Sequence, residues 1–232
     1  MRWKKSAGGL KIFLIIVLAS LPAYSWDNKT KKLPEKAPAG THLLWEQPVD
    51  LTTRDLYYGQ GGKENEPSGK LRFIKEDDGG TQPKFIVEDE KGVKWKVKLG
   101  IEAQSETVAT RLLWAVGYFT DETYYLPKLH VEGLVKLKRG QVAADGTVED
   151  ARLERISETH RIGNWNWFTN PFSNTRELNG LRVMMALINN WDLTERNNSI
   201  YYDKQSARLY YVVHDLGATF GKSGNDYSRS KN

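Results

Sequence analysis

The chain has 232 residues, 34 of them Lys or Arg and 29 Asp or Glu, which is long enough to bury a sizeable core as one two-lobed domain or two small ones. Four of the basic residues, Arg2, Lys4, Lys5 and Lys11, fall in residues 1–25, where there is no acid; the remainder is close to neutral, which argues against a nucleic-acid-binding face. No cysteine is present, so a disulfide framework, a thiolate metal centre and a lipoprotein anchor are excluded.

Residues 1–25 join a basic start to an apolar run over 12–21 and a small-residue exit at Ala23, Tyr24 and Ser25. This is the pattern of a secretory signal peptide cleaved after Ser25, the run being short for a transmembrane helix; an uncleaved anchor is the alternative. The expectation is a secreted or periplasmic protein with no stable membrane anchor after cleavage. Residues 26–41, polar and rich in Lys and Pro, read as a flexible leader, and the fold is expected to begin near His42. Gly59, Gly61 and Gly62 beside Lys63 could cradle phosphates through backbone N–H groups, but they lack P-loop spacing and the simpler reading is a plain loop.

From residue 84 the pattern alternates. Phe85 and Val87, a charged turn ending at Gly92, and then Val93, Trp95, Val97 and Leu99 predict a hairpin with one buried face, while Lys94, Lys96 and Lys98 share the other. That second face is either solvated or the place where a lysine meets phosphates. Ser105 is a candidate N-cap for a helix over 106–117 with Val108, Leu112, Ala115 and Val116 on one face and Gly117 closing it. Glu106 would sit in its first turn, where a carboxylate is favoured.

Residues 124–137 read as strand, with Pro127 at an edge or start, and Asp145-Gly146 as a turn before a strand over 148–156. Trp165, Trp167, Phe168 and Phe172 could bind a sugar or peptide, but their spacing favours a loop pinned to the core. Residues 175–190 predict a helix with so little polar face that it should be deeply buried, ending where it presents Asp192.

The chemistry is concentrated after that helix. Asp192 is followed by Asn197, by two short strands, and by His214-Asp215-Leu216-Gly217. A phosphoryl-transfer site needs one carboxylate to orient or deprotonate the attacking hydroxyl and further oxygen ligands for Mg²⁺, and two acids and an amide on adjoining loops supply them. Asx-type turns explain each motif taken singly.

The Asp192-x-x-x-x-Asn197 spacing resembles the protein-kinase catalytic loop, and residues 214–217 resemble a degenerate D-F-G. The closer likeness is to atypical members of the protein-kinase-like superfold: HipA-type kinases, CotH spore-coat kinases and secretory-pathway casein kinases. Their E-x-x-A-x-x-L-x-x-x-x-G-Y helix is similar to Glu106 through Tyr118 followed by Pro127, and their D-x-G-x-x-F-G to Asp215 through Gly221. The likeness covers residues 84–221. It implies ATP and Mg²⁺ as cofactors, with Lys98 or Lys96 neutralising the phosphates and Glu106 fixing that lysine. It also implies Asp192 as catalytic base, Asn197 or Asn198 as a metal ligand, and Asp215 as the main Mg²⁺ ligand. Departures are the short interval between Lys98 and Glu106, Trp191 rather than Arg before Asp192, and the early end at Asn232, which leads to the expectation of a minimal helical lobe or a truncated chain.

The expected fold is therefore α+β: a two-lobed protein-kinase-like fold with a β-rich N-terminal lobe over 42–156 and a small or truncated helical C-terminal lobe over 157–232 carrying the catalytic-loop hairpin. The expected function is that of an exported kinase-like protein transferring a phosphoryl group, with Mg²⁺, from a nucleotide to a protein or carbohydrate hydroxyl. The alternative is a non-catalytic extracytoplasmic binding module or pseudokinase that uses the inter-lobe cleft or the Trp165/Trp167 surface.

Overall fold

Alternation of apolar and polar residues governs most of the chain, and strands follow from it. A computed structural model describes residues 38–156 and 159–221. The elements in order are β1 (Thr41–Leu43), a 3-10 turn (Gly59–Gly61), β2 (Leu71–Asp77), β3 (Lys84–Glu88), β4 (Lys94–Leu99), α1 (Glu102–Ala115), β5 (Thr123–Glu132) and β6 (Thr147–Arg155). They continue with β7 (His160–Gly163), α2 (Arg176–Leu187), a second 3-10 turn (Glu195–Asn197), β8 (Asn198–Asp203) and β9 (Arg208–Val213).

Strands β2-β3-β4-β6-β5 form a closed barrel, sealed where β2 runs parallel to β5 through Leu71 and Val131. The β3–β4 hairpin sets Phe85 against Val97 and Val87 against Trp95, all four within the barrel core. The remaining strands form a four-stranded sheet in the order β1-β9-β8-β7. Its second core gathers Trp165, Leu178, Leu181, Ile200 and Leu209 with Leu113 of α1. Thr41, assigned from sequence to a flexible leader, starts β1, and its N–H donates to the Ala207 carbonyl at 2.9 Å.

This architecture corrects the expected two-lobed kinase-like α+β fold. The described residues are dominated by strands and a closed barrel, with only two short α-helices, and the segment expected to be a helical lobe contributes three strands and one α-helix. The reason lies in alternation: Ile200, Leu209, Tyr211 and Val213 point to the buried face of β8 and β9, and β1 joins the same sheet. The segment contributes one helix, α2, to cover it, beside Ala109 and Leu113 of α1.

Both helices also differ in detail. α1 begins at Glu102, so Ser105 is not its cap; the hydroxyl lies inside the first turn and donates to the Glu102 carbonyl at 3.1 Å. Its buried face is Ala103, Glu106, Thr107, Ala109, Thr110 and Leu113, while Val108 is exposed. The two threonines can be buried because each donates its hydroxyl to the carbonyl four residues earlier, at 2.8 Å. Gly117 ends the helix at φ 98°, and a Cβ there would lie 2.2 Å from the Glu46 carbonyl oxygen, so glycine is required. In α2, capped by Thr175 Oγ1, only Leu178, Leu181 and Met185 are buried, and Val183 and Leu187 are 59% and 71% exposed. The expected deep burial fails because one face alone meets the sheet.

Among the described residues no helix is long and apolar enough to cross a membrane. Residues 1–25, expected to be a signal peptide, lie outside the described residues, as do most of the expected leader and residues 222–232.

Candidate functional site

Strand β4 builds the site through its outward face. Trp95, Val97 and Leu99 fill the barrel, so Lys96 and Lys98 must emerge on the opposite side. There the register sets Lys96 across from Glu154 of β6, and the two pair at 2.6 Å. The same register sets Lys98 across from Arg152, which would be repulsive without a shared anion. Glu106 of α1 supplies it, with Oε2 2.9 Å from Lys98 Nζ and Oε1 3.4 Å from Arg152 Nη2.

Two further carboxylates close on the same ammonium: Glu102 one helical turn before Glu106, and Asp215 after β9, each at 2.9 Å. Burial opposes the Lys98 charge, yet Glu106, Asp215 and Glu102 outweigh it and hold the lysine above its ordinary value. Burial would raise Asp215, but the charge and hydrogen bond of Lys98 outweigh it and hold the carboxyl below its usual range. The Asp215 side chain is nonetheless half exposed and its backbone sits at φ 43°, a left-handed conformation that needs support. That support comes from the first turn of α1, where Ser105 Oγ donates to the Gly217 carbonyl at 3.3 Å and Thr219 Oγ1 donates to the Ser105 carbonyl at 3.4 Å. Gly217 permits this approach: a Cβ would lie 2.5 Å from Glu102 Oε2 and 3.1 Å from Lys98 Nζ.

Behind this cluster Arg152, 1% exposed, also pairs with Glu154 at 2.9 Å. Burial opposes the Glu154 charge, but Lys96 and Arg152 outweigh it and hold the carboxyl well below its ordinary value. His214 Nδ1 lies 2.6 Å from Asp121, and its Nε2 is buried without a hydrogen-bond partner.

These residues line a cleft of about 230 Å³. Lys84, Lys96, Lys98 and Arg152 lie on the barrel wall, and Arg161, Arg196, Ser199 and Tyr201 on the sheet wall. Six cationic side chains therefore face three carboxylates, Glu106, Glu154 and Asp215. The excess positive charge favours an anionic ligand.

Asp192 lies one step away. Asn197 Nδ2 donates to the Asp192 carbonyl and to its Oδ2, both at 3.0 Å, closing the loop on itself. Asp192, Asn197 and Asn198 line a hollow of about 10 Å³ that shares His214 and Asp215 with the cleft. Asn198 is wholly buried, donates to the Trp165 and Thr194 carbonyls, and keeps its Oδ1 without a partner.

The structure thus brings Lys98, Glu106 and Asp215 into contact. It places Lys96 in the same cleft but tied to Glu154, and it sets Asp192, Asn197 and Asn198 in an adjoining hollow. The glycines at 59–62 do not line the cleft; Tyr124 donates its hydroxyl to the Gly62 carbonyl at 2.8 Å, and the segment packs as a loop. Trp165 and Trp167 are 2% and 3% exposed, and Trp165 Nε1 donates to the Val212 carbonyl, so neither of these two tryptophans offers a surface to a sugar. Sequence reasoning missed Glu102, Asp121, Arg152, Glu154, Arg161 and the pairing of His214. The signal for two of them was present: Arg152 and Glu154 alternate with the buried Ala151 and Leu153, as Lys96 and Lys98 alternate with Trp95 and Val97.

No family model, curated protein or solved structure matches the chain. The oxygen donors that line the hollow are of the type a hard cation takes. A half-exposed carboxylate at Asp215, the Asp192 carboxylate, and amide oxygens of Asn197 and Asn198, one of them orphaned, are the oxygen ligands that Mg²⁺ takes.

Proposed function

We propose that the cleft binds a nucleoside triphosphate such as ATP with Mg²⁺ and transfers a phosphoryl group to a hydroxyl of a protein or carbohydrate, in a protein exported by residues 1–25. The observation that carries this reading is Lys98, buried between Glu106 and the half-exposed Asp215 at a cleft rich in cations. Lys98 then contacts phosphate oxygens, Glu106 holds its ammonium in place, and Asp215 with Asn197 or Asn198 would hold the cation. Mg²⁺, when bound, neutralises charge on the phosphates. Asp192 orients the acceptor hydroxyl or takes its proton.

A non-catalytic binding role is the second reading, and one observation favours it: Asp192 is bound by Asn197 and lines the hollow rather than the cleft. The decisive measurement is a thermal shift with Mg·ATP. Saturation at a hundred times the dissociation constant stabilises by about 2.7 kcal/mol, and Asp215→Ala abolishes the shift. No shift with any nucleotide, or a shift that survives Asp215→Ala, defeats the proposal. Phosphate transfer lost in Asp192→Asn while nucleotide binding persists separates catalysis from binding.

A further inference from the structure

The cations of the cleft differ in what they already hold. On the barrel wall Lys96, Lys98 and Arg152 are each engaged by carboxylates. Arg161 on β7 is not: among the described residues its guanidinium meets only neutral acceptors, donating from Nε to Ser199 Oγ at 2.8 Å and from Nη2 to Asn164 Oδ1 at 2.6 Å. Both acceptors are themselves buried, Ser199 at 2% and Asn164 at 5% exposed, and Asn164 is held in turn by donating to the Glu195 carbonyl. A guanidinium has five N–H donors in a fixed plane, so two bonds set its orientation and the rest stay available. Arg161 itself is exposed and lines the cleft with Lys84, which pairs with no carboxylate among the described residues.

We propose that Arg161, oriented by Ser199 and Asn164, is the centre of a second oxyanion subsite on the sheet wall, which takes a phosphate group without a metal ion. A full positive charge on a pre-set fork matches a tetrahedral oxyanion in two-pronged geometry. Lys84 adds a point charge from the barrel side, and Tyr201 lines the same space. Burial, with Asp121 and Glu154 nearby, pushes the Tyr201 phenol up to about 12, so it keeps its proton and can donate. This subsite does not depend on nucleotide binding at Asp215. The phosphate it accepts belongs either to the nucleotide or to the acceptor.

The test is calorimetric titration of inorganic phosphate into the full chain in EDTA. Saturable binding is expected, weakened about tenfold by Arg161→Gln, as loss of one charge-assisted pair implies. Adding Mg²⁺ should leave it unchanged. Ser199→Ala keeps the charge but removes one of its two supports and should weaken phosphate severalfold, which keeps the proposal testable if Arg161→Gln does not fold. No binding at millimolar phosphate, equal binding by Arg161→Gln, or an absolute need for Mg²⁺ overturns it. With a non-hydrolysable Mg·nucleotide present, competition assigns the subsite to the nucleotide's own phosphate and simultaneous binding to a phosphorylated acceptor; both support the subsite.

Discussion

Replacing Lys98 with Met tests whether the ammonium is what allows three carboxylates to share one buried position. Methionine fills similar volume, so packing changes little. What changes is charge: Glu102, Glu106 and Asp215 offer ligand atoms within 4.8 Å of one another, and the Glu102 and Glu106 side chains are only 10% and 2% exposed. Removing one partner of a buried pair costs about 3–5 kcal/mol. Arg152 still reaches Glu106 and the half-exposed Asp215 can turn to solvent, so the lower end applies, about 3 kcal/mol at pH 7. For a chain of this size that is a drop in Tm of about 6–12 °C. The pH dependence is the sharper readout. In the wild type the charge and hydrogen bond of Lys98 hold the Asp215 carboxyl below its usual range, so this pairing contributes stability above the unfolded carboxylate value of about 3.9, and the variant lacks it. That contribution is lost as pH falls through the depressed value, so the deficit against wild type should grow from about pH 3 to pH 7. Urea denaturation of both proteins at the two pH values measures it. A deficit under about 1 kcal/mol that does not vary with pH would refute the argument.

Gly217→Ala should weaken the same cluster, since its Cβ falls 2.5 Å from Glu102 Oε2; a loss of about 1–3 kcal/mol in denaturant unfolding is expected, together with weaker Mg·nucleotide binding. Leu181→Ala, at a position with no exposure, should cost about 2–5 kcal/mol, whereas Leu187→Gln, at the exposed end of α2, should stay within about 0.5 kcal/mol. Equal costs for the two would mean that α2 buries both faces.

Local patterning made the β3–β4 hairpin, the Asp145-Gly146 turn, the Gly117 helix end and the Thr175 start of α2 legible from sequence, because each depends on residues close in the chain. The Lys98–Glu106–Asp215 contact was readable only as an order of motifs, and its geometry needed the register of β4 against β6. What failed was inference across distance. The parallel seam between Leu71 and Val131 that closes the barrel, and the pairing of β1 with β9, leave no periodic mark. The burial of α1 was misjudged because Glu106, Thr107 and Thr110 are buried polar residues whose partners, or whose own i−4 carbonyls, satisfy them. Arg161 was overlooked because an arginine among polar neighbours looks solvated until Ser199, 38 residues away, is found beneath it.

The division of charge across the cleft follows from where the residues are anchored. Lys98 and Arg152 project from β4 and β6 beneath α1, so they are buried and require carboxylates to remain charged; they survive at 5% and 1% exposure only with Glu102, Glu106 and Glu154 around them. Arg161 stands at the more open end of β7 and keeps its charge in water without an anion. The first wall is thus rigid and nearly neutral, while the second is charged. On the proposed reading, an entering phosphate would gain most from the sheet wall and then meet a lysine whose position the barrel has already fixed. Increasing salt should therefore weaken the Arg161 contact well before it loosens the Lys98 cluster, because screening acts on exposed charges and spares buried ones.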